Sequence, residues 1–434
     1  MKIKIIDRPY AEVAAMMPKK HQKPLRVHPF FRALLKIVSL PDLWATKFSC
    51  NRIGMEKLGK REPCLYLMNH SSFIDLEIVS SILFPRPFNI VATTDGFVGK
   101  NWLMRQIGCI PTKKFVTDLT LLRDINYAVR EKRSSVVMFP EASYSFDGTA
   151  TPLPDSIGAF AKRLGIPVVM IRTYGAFGRD PLYNGLQRRR VRVSADMEYL
   201  LSPEELGAMT AEEIGARIGE RFEFDHFRWQ NENRVRIDEP FRADFLDRVL
   251  YKCAACGVEG RMEGKGIRLI CHACGKSYEL DEYGKLSAED GKTEFEFVTD
   301  WYAWERAEVR RELEGGTYAL DTAVDICMSI DTRHIYRVGE GRLTHSERGF
   351  HLTGCDGQLD YTHGAHASYS LYSDFNWYEV GDVICIGNNK ALYYCFPRDE
   401  GVSVAKARLA AEELYKLTKR SNRSTATRNT AGKT

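Results

Sequence analysis

Between residues 63 and 200 short apolar runs alternate with longer amphipathic stretches, and this alternation restricts the possible folds more than any other feature of the chain. The runs at 64–68, 88–92, 135–139, 167–172 and 191–195 are apolar on successive residues, as strands covered on both faces must be. The stretches 74–83, 118–131 and 155–164 between them carry apolar residues at helical spacing. Strands joined through helices pair in parallel, so the segment predicts an α/β fold with a mostly parallel sheet flanked by helices. A chain of 434 residues exceeds one ordinary core, and further units are expected around this one.

Those units follow from shifts in composition. Residues 1–50 read as an N-terminal amphipathic, helical segment, 51–250 as the α/β domain ending in a helical stretch, and 251–280 as a cysteine-bearing module. A charged connector over 281–315 leads to a β-rich domain at 316–420, dense in Tyr, Thr, Val and Gly, which closes on a terminal helix. Residues 421–434 read as a disordered basic tail.

The net charge of +5 is modest, and its placement says more than its sum. Residues 1–62 hold 14 Lys and Arg against 5 Asp and Glu, and residues 401–434 hold 8 against 2. Basic ends suit an anionic surface, either membrane or nucleic acid. No run reaches the roughly 18 to 20 apolar residues that cross a bilayer, and the start of the chain has no secretory pattern. The stretch 29–48 mixes Phe30, Phe31, Leu34, Ile37, Val38 and Trp44 with Arg32, Lys36 and Lys47, a composition for lying in an interface, with Pro41 expected to interrupt it. The expectation is a cytoplasmic protein held peripherally on the inner face of a membrane.

Four of the eleven cysteines form two tight pairs, Cys253-Ala-Ala-Cys256 and Cys271-His-Ala-Cys274, with 14 residues between them and a glycine after each. Two knuckles of this kind suit tetrahedral Zn²⁺. Four thiolates leave no open coordination position, so the predicted zinc is structural. The scattered remaining cysteines suggest a reducing compartment rather than a disulfide framework. Basic residues of the ribbon are interleaved with Glu259, Glu263 and Glu279, and no recognition helix follows it, so nucleic acid is not the expected partner.

Directly after the run 64–68 comes Asn69-His70-Ser71-Ser72-Phe73-Ile74-Asp75. A histidine at the carboxyl end of a strand stands where open α/β sheets place their ligands. Ser72 is suited to cap the next helix, putting Asp75 in its first turn, from where the carboxylate can fix the imidazole tautomer. A histidine so held can take the proton of an alcohol, a poor nucleophile near neutral pH. The same spacing, Ser72-x-x-Asp75, also satisfies a plain capping box.

These residues resemble the phospholipid/glycerol acyltransferase family, whose first motif, Asn-His-x4-Asp, is matched by Asn69, His70 and Asp75. The family's second motif is a Gly followed six residues later by a phosphate-binding Arg, and here Gly108 leads to Lys113 and Lys114, with Lys114 in the Arg position. Its third, Phe-Pro-Glu-Gly-Thr-Arg-Ser, reads Phe139-Pro140-Glu141-Ala142-Ser143-Tyr144-Ser145, and the Pro of its fourth is Pro167. The resemblance implies that 51–250 is an acyltransferase domain moving a fatty acyl group from acyl-CoA or acyl carrier protein to a lysophospholipid, with His70 as general base and Asp75 orienting it. It also implies that Asn69, Lys113, Lys114, Glu141, Ala142, Ser143, Tyr144 and Pro167 shape the substrate site, and that 1-acyl-glycerol-3-phosphate is the acceptor. Lys114 gives up a bidentate fork and Tyr144 gives up a charge, which weakens the phosphate part of that expectation. An inactive lipid- or protein-binding scaffold on the same fold is the alternative. Gly339-Glu340-Gly341-Arg342-Leu343, Gly349-Phe350-His351-Leu352, Asn376-Trp377-Tyr378 and Leu392-Tyr393-Tyr394-Cys395-Phe396 look like a pleckstrin-homology or GRAM-type small barrel.

Overall fold

A computed structural model of the chain describes residues 3–116 and 118–431, with side chains through Lys419. Its central sheet has seven strands in the order Ser49–Ile53, Ser194–Leu201, Val168–Tyr174, Leu65–Met68, Ser135–Met138, Phe88–Thr93 and Cys109–Thr112. Five of the six pairings are parallel, and the sixth, between Val168–Tyr174 and Ser194–Leu201, is antiparallel. The sheet is therefore mixed rather than purely parallel.

Successive residues of the central strand enter different layers. Leu65 and Leu67 pack with Ile125, Val129, Ile157 and Ile218 on one face, while Tyr66 and Met68 pack with Leu43, Ile74, Ile78 and Val79 on the other. Being covered on both faces is what makes such strands apolar throughout. On the first face the helices Ile157–Leu164 and Ala211–Phe222 approach closely at Gly158, where an added Cβ would lie 1.9 Å from the Ala211 carbonyl oxygen.

Three local expectations are corrected. The last strand of the sheet is Ser194–Leu201, not 191–195. Cys109–Thr112 is also a strand; its Pro111 hides it in the sequence, and the position is tolerated because this strand lies at the sheet edge. Pro41 does not interrupt its helix, which runs Pro29–Ala45. The carbonyl that Pro41 leaves without a helical donor belongs to Ile37, a residue 62% exposed, where water can take the bond.

The cysteine module is a four-stranded antiparallel sheet, Met262–Lys265, Arg268–Cys271, Ser277–Leu280 and Leu286–Ala288. Much of the expected connector is instead the helix Val298–Glu314, whose fully buried Trp301 donates its indole N–H to the Lys252 carbonyl at 2.9 Å. Beyond it seven antiparallel strands run from Leu320–Ser329 to Leu392–Pro397 as two meanders, of four and three strands, joined where the first strand pairs with the last. An eighth strand, Ile5–Asp7, comes from the far end of the chain and pairs in parallel with Ile335–Ser346. The terminal helix is Val404–Ala431, so the backbone of the expected tail is helical through 431, and its side chains beyond Lys419 lie outside the described residues. Among the described residues no helix is long and apolar enough to cross a membrane.

Candidate active site

Because the inner strands run parallel, their following loops emerge along one edge of the sheet. His70 follows Leu65–Met68, the loop 139–147 follows Ser135–Met138, Asp95 follows Phe88–Thr93, and Lys113 and Lys114 follow Cys109–Thr112. Motifs far apart in sequence meet there. Pro167 does not: it precedes Val168–Tyr174 at the opposite edge, where its carbonyl accepts the Leu65 N–H at 2.8 Å.

The helix Ile74–Ile82 begins just after the loop that carries His70, and Asp75 in its first turn gathers three donors. Its Oδ2 lies 3.0 Å from His70 Nδ1 and accepts the backbone N–H groups of Ser71 at 2.9 Å and Ser72 at 3.2 Å. Ser72 Oγ in turn accepts the Ile74 N–H at 3.3 Å. The N-cap is Phe73 and makes no side-chain cap hydrogen bond, so in place of the capping box expected at Ser72 the Asp75 carboxylate ties the loop to the histidine ring. With Nδ1–H donated to Asp75, the lone pair of the neutral imidazole sits on Nε2. The His70 side chain is 19% exposed and Asp75 only 2%.

The ring of His70 stacks against Phe139 and Tyr144 at centroid separations of 4.2 and 4.0 Å. Burial pushes the imidazole below its ordinary value, the hydrogen bond and charge of Asp75 push it back up, and Lys114 pushes it down. The net direction is down, so the histidine is a free base at neutral pH.

Glu141 does not open toward a ligand. Its Oε2 accepts the His70 backbone N–H at 2.8 Å, and its Oε1 accepts the Thr151 N–H at 2.7 Å. It bolts the histidine loop to the loop behind it, and burial pushes its carboxyl up to about 7 against those hydrogen bonds. Asn69 is also a brace: Oδ1 accepts the Thr173 N–H at 2.8 Å and Nδ2 donates to Ser71 Oγ at 3.1 Å. Ala142 holds a left-handed φ of 56°, at the position where the resembling family has glycine, and Ser143 is buried beside it.

Several residues at this site carried no sequence signal, since they come from the β-rich region. Tyr372 and Trp377 donate to Asp95 Oδ2 at 2.5 and 3.1 Å. Tyr372 also lies beneath the Lys114 ammonium, 4.1 Å from ring centroid to Nζ. Lys113 donates to the Asn389 carbonyl at 2.7 Å, Arg408 to the Tyr144 carbonyl at 3.2 Å, and Tyr369 to the Pro140 carbonyl at 3.2 Å. Phe375 stacks on Phe146 at 4.3 Å. Behind the loop, Arg179 bridges Asp180 at 3.0 Å and Asp42 at 2.8 Å, a brace that sequence spacing did not suggest.

Residues 50–173 match the family model described as Acyltransferase. That segment contains His70, Asp75, Lys114 and the whole 139–145 loop. Over 155 residues the chain is 28% identical to a chloroplastic 1-acyl-sn-glycerol-3-phosphate acyltransferase of Brassica napus, covering 35% of this chain and 43% of that one. Over 146 residues it is 28% identical to a chloroplastic enzyme of the same description from Arabidopsis thaliana, covering 31% and 40%. The chain thus spans less than half the length of these curated relatives. A crystal structure of the 1-acyl-sn-glycerophosphate acyltransferase PlsC from Thermotoga maritima aligns at a TM-score of 0.34 and 15% identity, over 44% of this chain and 76% of that one.

The four cysteines of the ribbon form the second site. Cys253, Cys256, Cys271 and Cys274 bring their sulfurs within 4.8 Å of one another. The pairs Cys253–Cys274 and Cys256–Cys271 are each 3.8 Å apart. A tetrahedron with metal–sulfur bonds of about 2.3 Å has edges of about 3.8 Å, so the cluster fits a metal ion and is far too open for disulfides. The two knuckles are built alike: Gly257 and Gly275 take φ of 75° and 76°, and each donates its N–H to the carbonyl of the first cysteine of its pair at 2.8 Å. His272 turns instead to Glu263, 2.7 Å away.

Proposed function

We propose that the chain is an O-acyltransferase that moves a fatty acyl group from a thioester, acyl-CoA or acyl carrier protein, to the free hydroxyl of a lysophospholipid. The observation that carries this reading is the His70–Asp75 contact at 3.0 Å, placed at the ligand-bearing edge of the sheet inside the segment that matches the family model. In this mechanism His70 Nε2 takes the hydroxyl proton as the oxygen attacks the thioester carbonyl. Asp75 supports the positive charge that the imidazole gains. Collapse of the tetrahedral intermediate forms the ester and breaks the carbon–sulfur bond, and His70 returns its proton to the departing thiolate. No acyl-enzyme is needed.

The similarity to plant 1-acyl-sn-glycerol-3-phosphate acyltransferases favours 1-acyl-glycerol-3-phosphate as acceptor, giving phosphatidic acid. Lys114 and Tyr144 weigh against a phosphate site of that kind, as taken up below. The departures at Ala142 and Tyr144, with Tyr144 lying on the histidine ring, favour the alternative of an inactive lipid-binding scaffold.

The ribbon's metal in this reading is a structural Zn²⁺ held by Cys253, Cys256, Cys271 and Cys274, which supplies folding energy and no chemistry to the transfer. Four strands and three strands, joined where the first pairs with the last and followed by a helix, support a pleckstrin-homology-like assignment for the β-rich region. The helix Pro29–Ala45 exposes Phe30, Ile37, Val38 and Trp44 at 62, 62, 65 and 71%, beside Trp102 at 67%. Apolar side chains so exposed on a basic segment suit peripheral docking on an anionic membrane surface at the cytoplasmic face.

The deciding experiment compares wild type with His70→Ala using labelled acyl-CoA or acyl carrier protein and a panel of lysolipids. Wild type is expected to form product, and the variant to lose about 10² to 10⁴-fold in rate. Equal, background product from both proteins on every acceptor would leave the scaffold reading standing.

A further inference from the structure

The strand Tyr372–Trp377 of the β-rich region forms a wall against the loop edge that carries His70, with Tyr372 beneath Lys114 and both Tyr372 and Trp377 bonded to Asp95. On this strand Tyr372 and Asp374 are two residues apart and therefore share a face, while Ser373 and Phe375 turn the other way, Phe375 onto Phe146. The Tyr372 face is the one that meets the Lys114 ammonium. Asp374 thus stands beside the position where the resembling family places its phosphate-binding cation.

The charges at this wall do not add up to a phosphate site. Lys114 contributes one positive charge, and Asp374 and Asp95 act on it as the opposing carboxylates. Tyr144, at the third-motif Arg position, adds none and is itself acted on by Asp374. Asp95 is already satisfied by Tyr372, Trp377 and the Gly96 N–H at 3.0 Å. Asp374 is not: its Oδ1 is buried without a hydrogen-bond partner. Among the described residues Lys114 forms no ion pair, so a cation and a carboxylate stand near each other without joining. Burial pushes the Asp374 carboxyl up to about 7 against the pull of Lys114 and of the Phe375 backbone N–H, and Oδ1 is the oxygen left open.

We infer that the acceptor is an amine-bearing, zwitterionic lysophospholipid, its phosphodiester facing Lys114 and its ammonium donating to Asp374 Oδ1. This inference rests on the acyl-transfer reading above and narrows it. A phosphodiester carries a single negative charge, which one lysine matches, and the ammonium supplies the donor that Asp374 lacks. A phosphomonoester carries close to two negative charges at neutral pH, and would bring them against two carboxylates with Lys114 facing it and the neighbouring Arg408 already paired with Glu412 at 3.3 Å. Specificity then comes from the repulsive element as much as from the attractive one.

The test measures kcat/KM of the full chain, with one acyl-CoA, for 1-acyl-glycerophosphoethanolamine and 1-acyl-glycerol-3-phosphate bearing the same chain. Wild type is expected to prefer the ethanolamine lipid by at least about 10-fold. Asp374→Asn is expected to cut that preference by about 10-fold, acting on the ethanolamine lipid alone, and Asp374→Glu to retain most of it. The ratio of the two acceptors within one preparation cancels any loss of folded protein. A wild-type preference for the phosphomonoester, or an Asp374→Asn effect equal on both lipids, would overturn the inference while acyl transfer stands. Turnover of other lysolipids but neither of these two would do the same. No turnover of any acceptor would remove the acyl-transfer reading and this inference together.

Discussion

The loop 69–75 and the cysteine ribbon are both built on short sequence spacings, yet they depend on the rest of the molecule to very different degrees. In the ribbon the spacing determines most of the site: two glycine-ended knuckles, each closed by its own backbone bond, bring four sulfurs within 4.8 Å of one another, and the helix Val298–Glu314 braces the first knuckle through Trp301 and Glu305. In the loop the spacing sets the His70–Asp75 contact and little more. The basicity of the imidazole is set by its burial between Phe139 and Tyr144 and by Lys114, groups that lie 44 to 74 residues from it in sequence. Its outer wall comes from the β-rich region some 300 residues on. A metal site can be written locally because the ion itself does the assembling, whereas an acid–base site takes its pKa from whatever surrounds it.

The largest effect is expected from breaking the local member of the pair. Cys253→Ser with Cys256→Ser, or exhaustive chelation, should release one equivalent of metal and forfeit a binding energy on the order of 10 kcal/mol. Metal content and Tm read the outcome. The ribbon carries the buried Leu269, Tyr278 and Leu280 in the same apolar cluster as Trp301 of the adjoining helix, so the loss should spread into that helix. Retained metal in the double variant would show that the sulfurs are not its ligands.

Next in size is Asp75→Asn. It keeps an oxygen for the Ser71 and Ser72 N–H groups but removes the charge, and kcat/KM is expected to fall about 10²-fold. The pH profile separates this from simple loss of fold. In wild type the acid limb should lie below the ordinary histidine value of 6.5, because burial outweighs Asp75. Protonation through that limb removes the base, so activity falls as pH drops. Since Asp75 raises the His70 pKa, the Asn variant should move the limb to still lower pH. A limb that moves upward would show that the carboxylate does not act on the imidazole.

The smallest effect sharpens the backbone side of the comparison. Ala142 occupies the left-handed region at φ 56°, where a side chain costs about 1 kcal/mol relative to glycine. Ala142→Gly should therefore stabilise the protein by up to about 1 kcal/mol, visible as a small rise in Tm. A fall in Tm would mean that the Ala142 methyl group packs more usefully than its conformation costs.

The α/β layering was legible because the strands are covered on both faces and so carry uninterrupted apolar runs. The two edge strands were not: Ser49–Ile53 is largely exposed, and Cys109–Thr112 contains Pro111. The helix Val298–Glu314 was hidden by its charge, since a buried Glu305 and a run of surface ion pairs look like a connector. At the site, sequence singled out His70 and Asp75 but gave Glu141 and Asn69 to the substrate, whereas their polar atoms brace the loops around the histidine.

What the sequence determined by itself is the chemistry that local spacing can build: an imidazole five residues from a carboxylate at a strand end, and four thiols on two knuckles. What only the tertiary structure decided is the electrostatic setting of that imidazole and which side chains of the β-rich region stand beside Lys114. Asp374 acts on Lys114 from a strand about 260 residues further along the chain, since charge acts across space without regard to separation along the chain.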